Sequence, residues 1–149
     1  MKQKIILLWL LMVIGSVAFS QQLNLGEVAN MTLFEVQNAS QRMYRLRSPQ
    51  NNNFLEQRWD TILVSLDPQN RIISIQYLKQ NVSEEVYQAC FITYLDYLFN
   101  LGYTETDSKI IGGIPYLTAR KLGTIDGFTW AIADGWIVIT VNSDMRPFS

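Results

Sequence analysis

Between Arg58 and Leu78, apolar and polar residues alternate on both sides of the tetrapeptide Asp67-Pro68-Gln69-Asn70. Alternation with a period of two is typical of a half-buried β-strand. Asp, Pro and Asn favour a type I turn, because Pro presets the backbone and Asn tolerates a left-handed position. The pattern therefore predicts a β-hairpin.

A four-residue loop sets the expected register of this hairpin. It places Val64 opposite Ile73 and Ile62 opposite Ile75, so that one β-branched face suits a core. Trp59 then falls on the opposite, more polar face, where we expect it to be exposed.

From Ser83 to Leu101, apolar side chains recur at intervals of three and four residues, which is the spacing of one helix face. Ser83 or Asn81 is the expected N-cap, and Gly102 suits the left-handed position that ends a helix. The predicted apolar face consists of Val86, Tyr87, Cys90, Phe91, Tyr94, Leu98 and Leu101.

The last third of the chain alternates again, in the stretches Leu117 to Ile125, Phe128 to Ala133 and Trp136 to Asn142. The sequences Asp126-Gly127 and Asp134-Gly135 separate them. Asp-Gly favours a two-residue hairpin turn, because both positions need a positive φ angle. These stretches predict a three-stranded meander.

In this meander Ala133 lies opposite Trp136, and Trp130 lies opposite Ile139 on the core face. The preceding stretch, Thr104 to Pro115, is interpreted as a loop. Its paired glycines suit either a plain connection or a mobile lip over a pocket.

The pattern is weaker near the N-terminus of the predicted domain. Asn30 to Ser40 fits a short helix with Asn30 as its cap, or alternatively an edge strand. Arg42 to Arg47 alternates and predicts a half-buried strand, and Ser48 to Asn53 predicts a loop.

Together these elements place the chain in the α+β class. We expect an antiparallel sheet packed on one face by the long helix, in the order α-βββ-α-βββ. The order repeats a helix followed by three strands, which would fit an internal pseudo-repeat.

The first residues have the three regions of a secretion signal. Lys2 and Lys4 are the charged region, Ile5 to Ile14 is nearly all apolar, and Ala18-Phe19-Ser20 provides small residues for cleavage after Ser20. A membrane anchor is disfavoured, since the apolar stretch is shorter than the ~20 residues that span a bilayer.

We therefore predict a cleaved signal peptide over residues 1–20 and a single α+β domain over residues 21–149 that does not span a membrane. Its localisation would be periplasmic or secreted. Loss of Lys2 and Lys4 leaves 10 basic against 13 acidic residues, a balance that argues against binding nucleic acid.

Composition also restricts the chemistry. The chain has no His and a single Cys, so it lacks the usual general base, the commonest zinc ligand and an internal disulfide. Cys90 fits a small core residue. The sequence contains no motif for a catalytic site, a metal site or a cofactor, and we expect a non-enzymatic protein.

Candidate binding residues are therefore exposed aromatic and basic side chains. Trp59, Trp136 and Tyr116 fall outside the predicted core, and exposed aromatic residues often anchor partners. Arg45 and Arg47, in the strand predicted from Arg42 to Arg47, could recognise an anionic group, although the pattern favours a solvated or edge-strand face as their explanation.

These observations favour an exported bacterial domain that binds a protein or a cell-envelope component. The alternative is a carrier of a small apolar ligand, with a pocket between the long helix and the sheet. The sequence pattern does not predict an oligomeric state.

Overall fold

The computed structural model describes residues 23–103, 105–120, 127–133 and 135–143. Within these ranges the chain forms one α-helix and eight β-strands. The strands are β1 (Phe34–Asn38), β2 (Met43–Leu46), β3 (Thr61–Leu66), β4 (Ile72–Lys79), β5 (Glu105–Ile111), β6 (Ile114–Arg120), β7 (Gly127–Ala133) and β8 (Trp136–Asn142). The helix α1 is Glu84–Asn100, and 3-10 turns occupy Met31–Leu33, Pro49–Asn51 and Phe54–Glu56.

All eight strands belong to one antiparallel sheet with the order β1-β2-β3-β4-β8-β7-β6-β5. Each half of the chain is a four-stranded meander, and the two meanders join where β4 pairs with β8. The prediction of an α+β protein with an antiparallel sheet is therefore confirmed. The predicted order of elements is wrong, since four strands precede α1 and four follow it.

Two local features account for the wrong order. Asn30 caps only a 3-10 turn, after which Phe34 pairs with Leu46 and is buried, so the edge-strand alternative is correct for this segment. The predicted loop from Thr104 to Pro115 contains β5. Gly112 and Gly113 both have positive φ angles and form the two-residue turn from β5 to β6.

The hairpin of β3 and β4 forms as expected, but its register differs from the prediction by two residues. Val64 pairs with Ile75, and Ile62 pairs with Tyr77. The turn is longer than four residues, because Asp67 Oδ1 accepts hydrogen bonds from the backbone N–H groups of Gln69 (2.9 Å) and Arg71 (2.8 Å). A register shift after the Leu66 to Ile72 pair supplies the remaining displacement.

One face of the sheet carries the core, and we call it the core face. Buried and partly buried side chains follow one another across it in two rows that continue from β3 to β6. The first row is Ile62, Tyr77, Ile139, Trp130 and Leu117, and the second is Val64, Ile75, Val141, Phe128 and Ala119. The predicted pairs Trp130–Ile139 and Ala133–Trp136 are confirmed.

The structure confirms both predicted ends of α1. Ser83 Oγ accepts a hydrogen bond from the backbone N–H of Val86 (3.3 Å), and Gly102 has a φ angle of +85°. Cys90, Tyr94 and Leu98 are buried, and the ring of Tyr94 lies 4.9 Å from that of Trp130 in β7. Val86 and Leu101, predicted for the apolar face, are instead partly exposed.

The described residues contain no helix with the length and apolar character that a membrane crossing requires. The Asp126 position of the first predicted Asp-Gly turn, and residues 121–125 of the strand before it, lie outside the described ranges.

The two rows on the core face predict that substitutions at adjacent positions of β8 differ strongly in their cost to the free energy of unfolding. Ile139 is fully buried on the core face, whereas Val138 points to the opposite face. We expect Ile139→Ala to lower the free energy of unfolding by about 2–5 kcal/mol. We expect Val138→Ala to cost about 1 kcal/mol, because less apolar surface is lost.

Urea unfolding followed by circular dichroism measures both values. Equal losses for the two variants would contradict the assignment of the core face.

Candidate functional site

A cavity lies between α1 and the core face, and we call it the central cavity. Its volume is about 750 Å³. Ile75 and Tyr77 from β4, Phe128 from β7 and Val141 from β8 line it from the sheet. The other walls come from Thr93, Asp96, Tyr97 and Asn100 of α1, from Leu101 and Tyr103, and from residues 23–25 and 52–56.

Aromatic rings form a continuous cluster around this cavity. Phe54 stacks on Tyr77 with ring centroids 4.1 Å apart and meets Tyr97 edge-on at 5.4 Å. Phe128 contacts Tyr97 at 5.7 Å and Tyr103 at 5.0 Å, both edge-on. Tyr77 and Phe128 are buried by these contacts, whereas Phe54, Tyr97 and Tyr103 remain partly exposed and are the rings that a bound molecule would contact.

Two hydrogen bonds hold Phe54 in this position. Trp59 Nε1 donates to the carbonyl oxygen of Phe54 (2.9 Å), and Asn52 Oδ1 accepts from the Phe54 N–H (3.1 Å). Leu55 and Glu56, which follow, have φ angles of +56° and +57°. Residues other than glycine rarely adopt this left-handed backbone conformation, so the surrounding contacts must maintain the 3-10 turn.

Trp59 therefore has a different place from the one predicted. Its side chain is only 2% exposed and its ring lies 5.5 Å from that of Tyr77. The expectation that Trp59 is exposed on the polar face is wrong, because Trp59 precedes β3 and folds toward the Phe54 carbonyl. Its contribution to the central cavity is to position Phe54.

The polar residues of the central cavity are acidic or neutral. Asp96 and Glu56 are its acidic side chains, and no Lys or Arg is present among the described residues that line it. Asn24, Asn52, Asn53 and Asn100 add amide groups, which both donate and accept hydrogen bonds.

The phenols at the cavity are held in their neutral form. Burial raises the pKa of Tyr77 above its usual value of 10.0, and the neighbouring Tyr97 raises it further. Burial also raises the pKa of Tyr97, with a further contribution from Tyr103. Near neutral pH these groups offer hydroxyl donors and apolar rings, with no negative charge.

The opposite face of the sheet, which we call the outer face, carries three predicted binding residues. Trp136 is 39% exposed at the start of β8. Tyr116 lies in line with Ala131 and Val138, two strands away from β8 across β7. Arg45 shares this face, but β3 and β4 separate its strand from β8.

The basic residues in and beside β2 form hydrogen bonds and a salt bridge with neighbouring segments. Arg45 forms a salt bridge with Glu35 of β1. Arg47 Nε donates to the carbonyl oxygen of Phe34 (3.0 Å), and Arg42 Nη2 donates to Asn70 Oδ1 (2.7 Å). The structure therefore does not bring Arg45 and Arg47 together with the aromatic candidates.

The part of the chain that the structure describes contains no candidate metal-binding group, and its cysteine is buried. No three His, Cys, Asp or Glu residues there lie close enough to hold a metal ion. Cys90 is buried in α1, and burial raises the pKa of its thiol from 9.0 to about 11, partly offset by Lys79. A thiol in this environment is a poor nucleophile near neutral pH.

Comparison with known proteins provides no assignment, since no family model, curated protein or solved structure matches this chain.

The buried thiol of Cys90 and the buried phenol of Tyr94 predict how the free energy of unfolding changes at alkaline pH. Burial raises the pKa of Cys90 from 9.0 to about 11, and it raises the pKa of Tyr94 above 10.0. Unfolded chains lose these protons at lower pH than the folded protein does. The stabilisation is therefore complete below pH 9 and decreases as the pH rises toward 11, with the thiol contributing of the order of 2 kcal/mol.

Urea unfolding at neutral pH and at several values between pH 9 and 11 tests this. Cys90→Ala is the matched variant, and its stability should decrease less steeply over the first part of that range. Constant stability of the natural chain up to pH 11 would contradict the burial of these groups.

Proposed function

We propose that this protein is an exported binding protein that holds a small, uncharged or cationic ligand with a flat apolar part in the central cavity. The observation that carries the proposal is the cluster of aromatic rings around a cavity of about 750 Å³ between α1 and the core face. The secretion signal predicted in residues 1–20 supports export.

The size and lining of the central cavity favour a small molecule. Ligand sites in proteins commonly have volumes of about 300–1,000 Å³, mostly apolar walls and a few polar groups that set orientation. Here the partly exposed rings of Phe54, Tyr97 and Tyr103 provide apolar surface, while Asp96 and Asn100 provide polar groups from α1. A flat ligand would stack on the rings and direct its hydrogen-bonding groups toward α1.

The charges of the cavity favour one class of ligand. Asp96 and Glu56 repel a bound anion, and the described lining supplies no cation to compensate. A cation is attracted by the same carboxylates and by the faces of the aromatic rings. We therefore expect neutral and cationic ligands to bind better than anions of the same shape.

Two related fluorescent probes test both parts of this proposal. N-phenyl-1-naphthylamine is neutral, and 8-anilinonaphthalene-1-sulfonate has a similar ring system with an added sulfonate. We expect the neutral probe to bind once per chain and the anionic probe to bind at least about tenfold more weakly.

A variant locates the site. Thr93 lines the central cavity from α1, so the indole of Thr93→Trp should occupy it and weaken binding of the neutral probe by about tenfold. Gln88→Trp is the matched control, because Gln88 is exposed on the same helix and does not line the cavity. Equal affinity for the two probes would contradict the ligand class, and undiminished binding by Thr93→Trp would contradict the site.

A second candidate function is recognition of an envelope or secreted protein through the outer face. The supporting observation is the partly exposed indole of Trp136, which shares that face with Tyr116. Large aromatic side chains of this kind contribute strongly to protein interfaces.

In-cell crosslinking of the tagged, exported chain, followed by mass spectrometry, tests this candidate. Trp136→Ala should abolish capture of a reproducible partner, with affinity falling by about tenfold or more. Val36→Ala should not, since Val36 is an exposed apolar residue on the distant edge strand β1. Equal capture by the two variants would contradict a role for Trp136.

A further inference from the structure

The two edge strands of the sheet differ in how well they could accept another strand. β1 has five residues, and its pairing with β2 shifts between Val36 and Asn38. β5 has seven residues, pairs with β6 without a shift and contains no proline. A long, regular edge strand favours pairing with a further strand, whereas a bulge disfavours it.

We propose that β5 pairs antiparallel with β5 of a second copy of this chain, about a two-fold axis that lies midway between Ser108 and Ser108 of the second copy (the Ser108 register). The proposal concerns the free edge of the sheet and does not depend on a ligand in the central cavity, although Asp96 and Tyr103 border both that cavity and a second cavity beside Thr106. A two-fold axis between identical antiparallel strands lies perpendicular to the sheet, so directly opposite residues must point to the same face. One residue must therefore lie directly opposite its own copy, with the axis midway between them, and the charges of β5 distinguish the possible residues.

Asp107 and Lys109 select the Ser108 register. They lie on the same face of β5, with Lys109 Nζ 3.7 Å from Asp107 Oδ2. In the Ser108 register, Asp107 of each copy lies opposite Lys109 of the other, which gives two favourable cross-strand pairs. Moving the axis to Asp107 or to Lys109 places that residue opposite its own copy, so that like charges meet.

The apolar residues of this edge independently favour the same register. Ile110 is 77% exposed, and in the Ser108 register it lies opposite Thr106 of the second copy. Thr106 lines a second cavity of about 380 Å³ together with Leu95, Tyr103 and the 74% exposed Phe99. Pairing through Ser108 therefore brings Ile110 of one copy beside the apolar cavity of the other, and the two-fold axis repeats the contact.

The perpendicular two-fold axis also determines the arrangement of the two sheets and helices in the dimer. Because the axis is perpendicular to the sheet, the two sheets become one continuous sheet and both α1 helices lie on the same side. The outer faces, including Trp136, also form one continuous surface. A dimer of this kind would present two copies of each candidate site.

Charge reversal tests the register directly. Asp107→Lys places lysine opposite Lys109, and Lys109→Asp places aspartate opposite Asp107, so each variant alone brings like charges together twice. We expect each to raise the dissociation constant of the dimer by about tenfold or more. The double variant Asp107→Lys/Lys109→Asp should return to within about threefold of the natural protein.

An equimolar mixture of the two single variants is the sharpest test. In the Ser108 register, both lysines of one chain lie opposite both aspartates of the other, so a heterodimer should form although neither variant dimerises well alone. Sedimentation velocity over a series of protein concentrations measures the dissociation constant of the dimer in every case. The protein is used in the form that its host produces.

Ile110→Asp tests the apolar contact and should weaken the dimer by about tenfold or more, since it places an acid beside Phe99 and Thr106. Val36→Asp is the matched control, because Val36 is similarly exposed on the other edge strand. Circular dichroism verifies that each variant is folded.

Three results would overturn the proposal. The first is a natural protein that remains monomeric over the whole concentration series. The second is single charge reversals that dimerise as well as the natural chain. The third is a mixture of the single variants that fails to associate.

Discussion

The pairing of β4 with β8 is the contact on which the rest of the structure depends. It runs from Ser74 opposite Asn142 to Lys79 opposite Ile137 and joins the two meanders into one sheet. It also sets Tyr77 beside Ile139 and Ile75 beside Val141, so the core face becomes continuous. Because the two strands are far apart in sequence, the chain must close a long loop before this contact forms.

The central cavity follows from that pairing. Its floor combines Ile75 and Tyr77 of the first meander with Phe128 and Val141 of the second. The helix α1 connects the two meanders and contributes Asp96 and Tyr97 from above that floor. A site assembled from both halves of the fold is held by the whole core, which favours the fixed geometry that ring stacking and oriented hydrogen bonds require.

Local signals in the sequence predict a substantial part of this fold. Ser83 and Gly102 mark both ends of α1, Asp67 marks the first hairpin turn, and Ala133 pairs with Trp136 as expected. Each of these features depends on hydrogen bonds between residues only a few positions apart. Gly112-Gly113 likewise favours a hairpin turn between β5 and β6. The first five residues of β5 are all polar, however, so they lack the alternation that predicts a strand.

The features that sequence reasoning missed depend on contacts between distant residues. The burial of Trp59 depends on the carbonyl of Phe54 and the ring of Tyr77, and the displaced register of β4 depends on the longer Asp67 turn and the shift beyond it. The central cavity draws on segments from residue 23 to Val141, which no periodicity brings together. Of the predicted site residues, Trp136 and Tyr116 share the outer face, whereas Arg45 and Arg47 are engaged in local structure.

The central claim is that the space beneath α1 is a binding site. Selective ¹³C labelling of the tyrosine rings tests it most directly, by NMR during titration with N-phenyl-1-naphthylamine. Tyr77, Tyr97 and Tyr103 line the central cavity, whereas Tyr116 lies on the outer face. The account predicts that the resonances of the three cavity tyrosines shift while that of Tyr116 does not. A shift confined to Tyr116, with the cavity tyrosines unchanged, would contradict it.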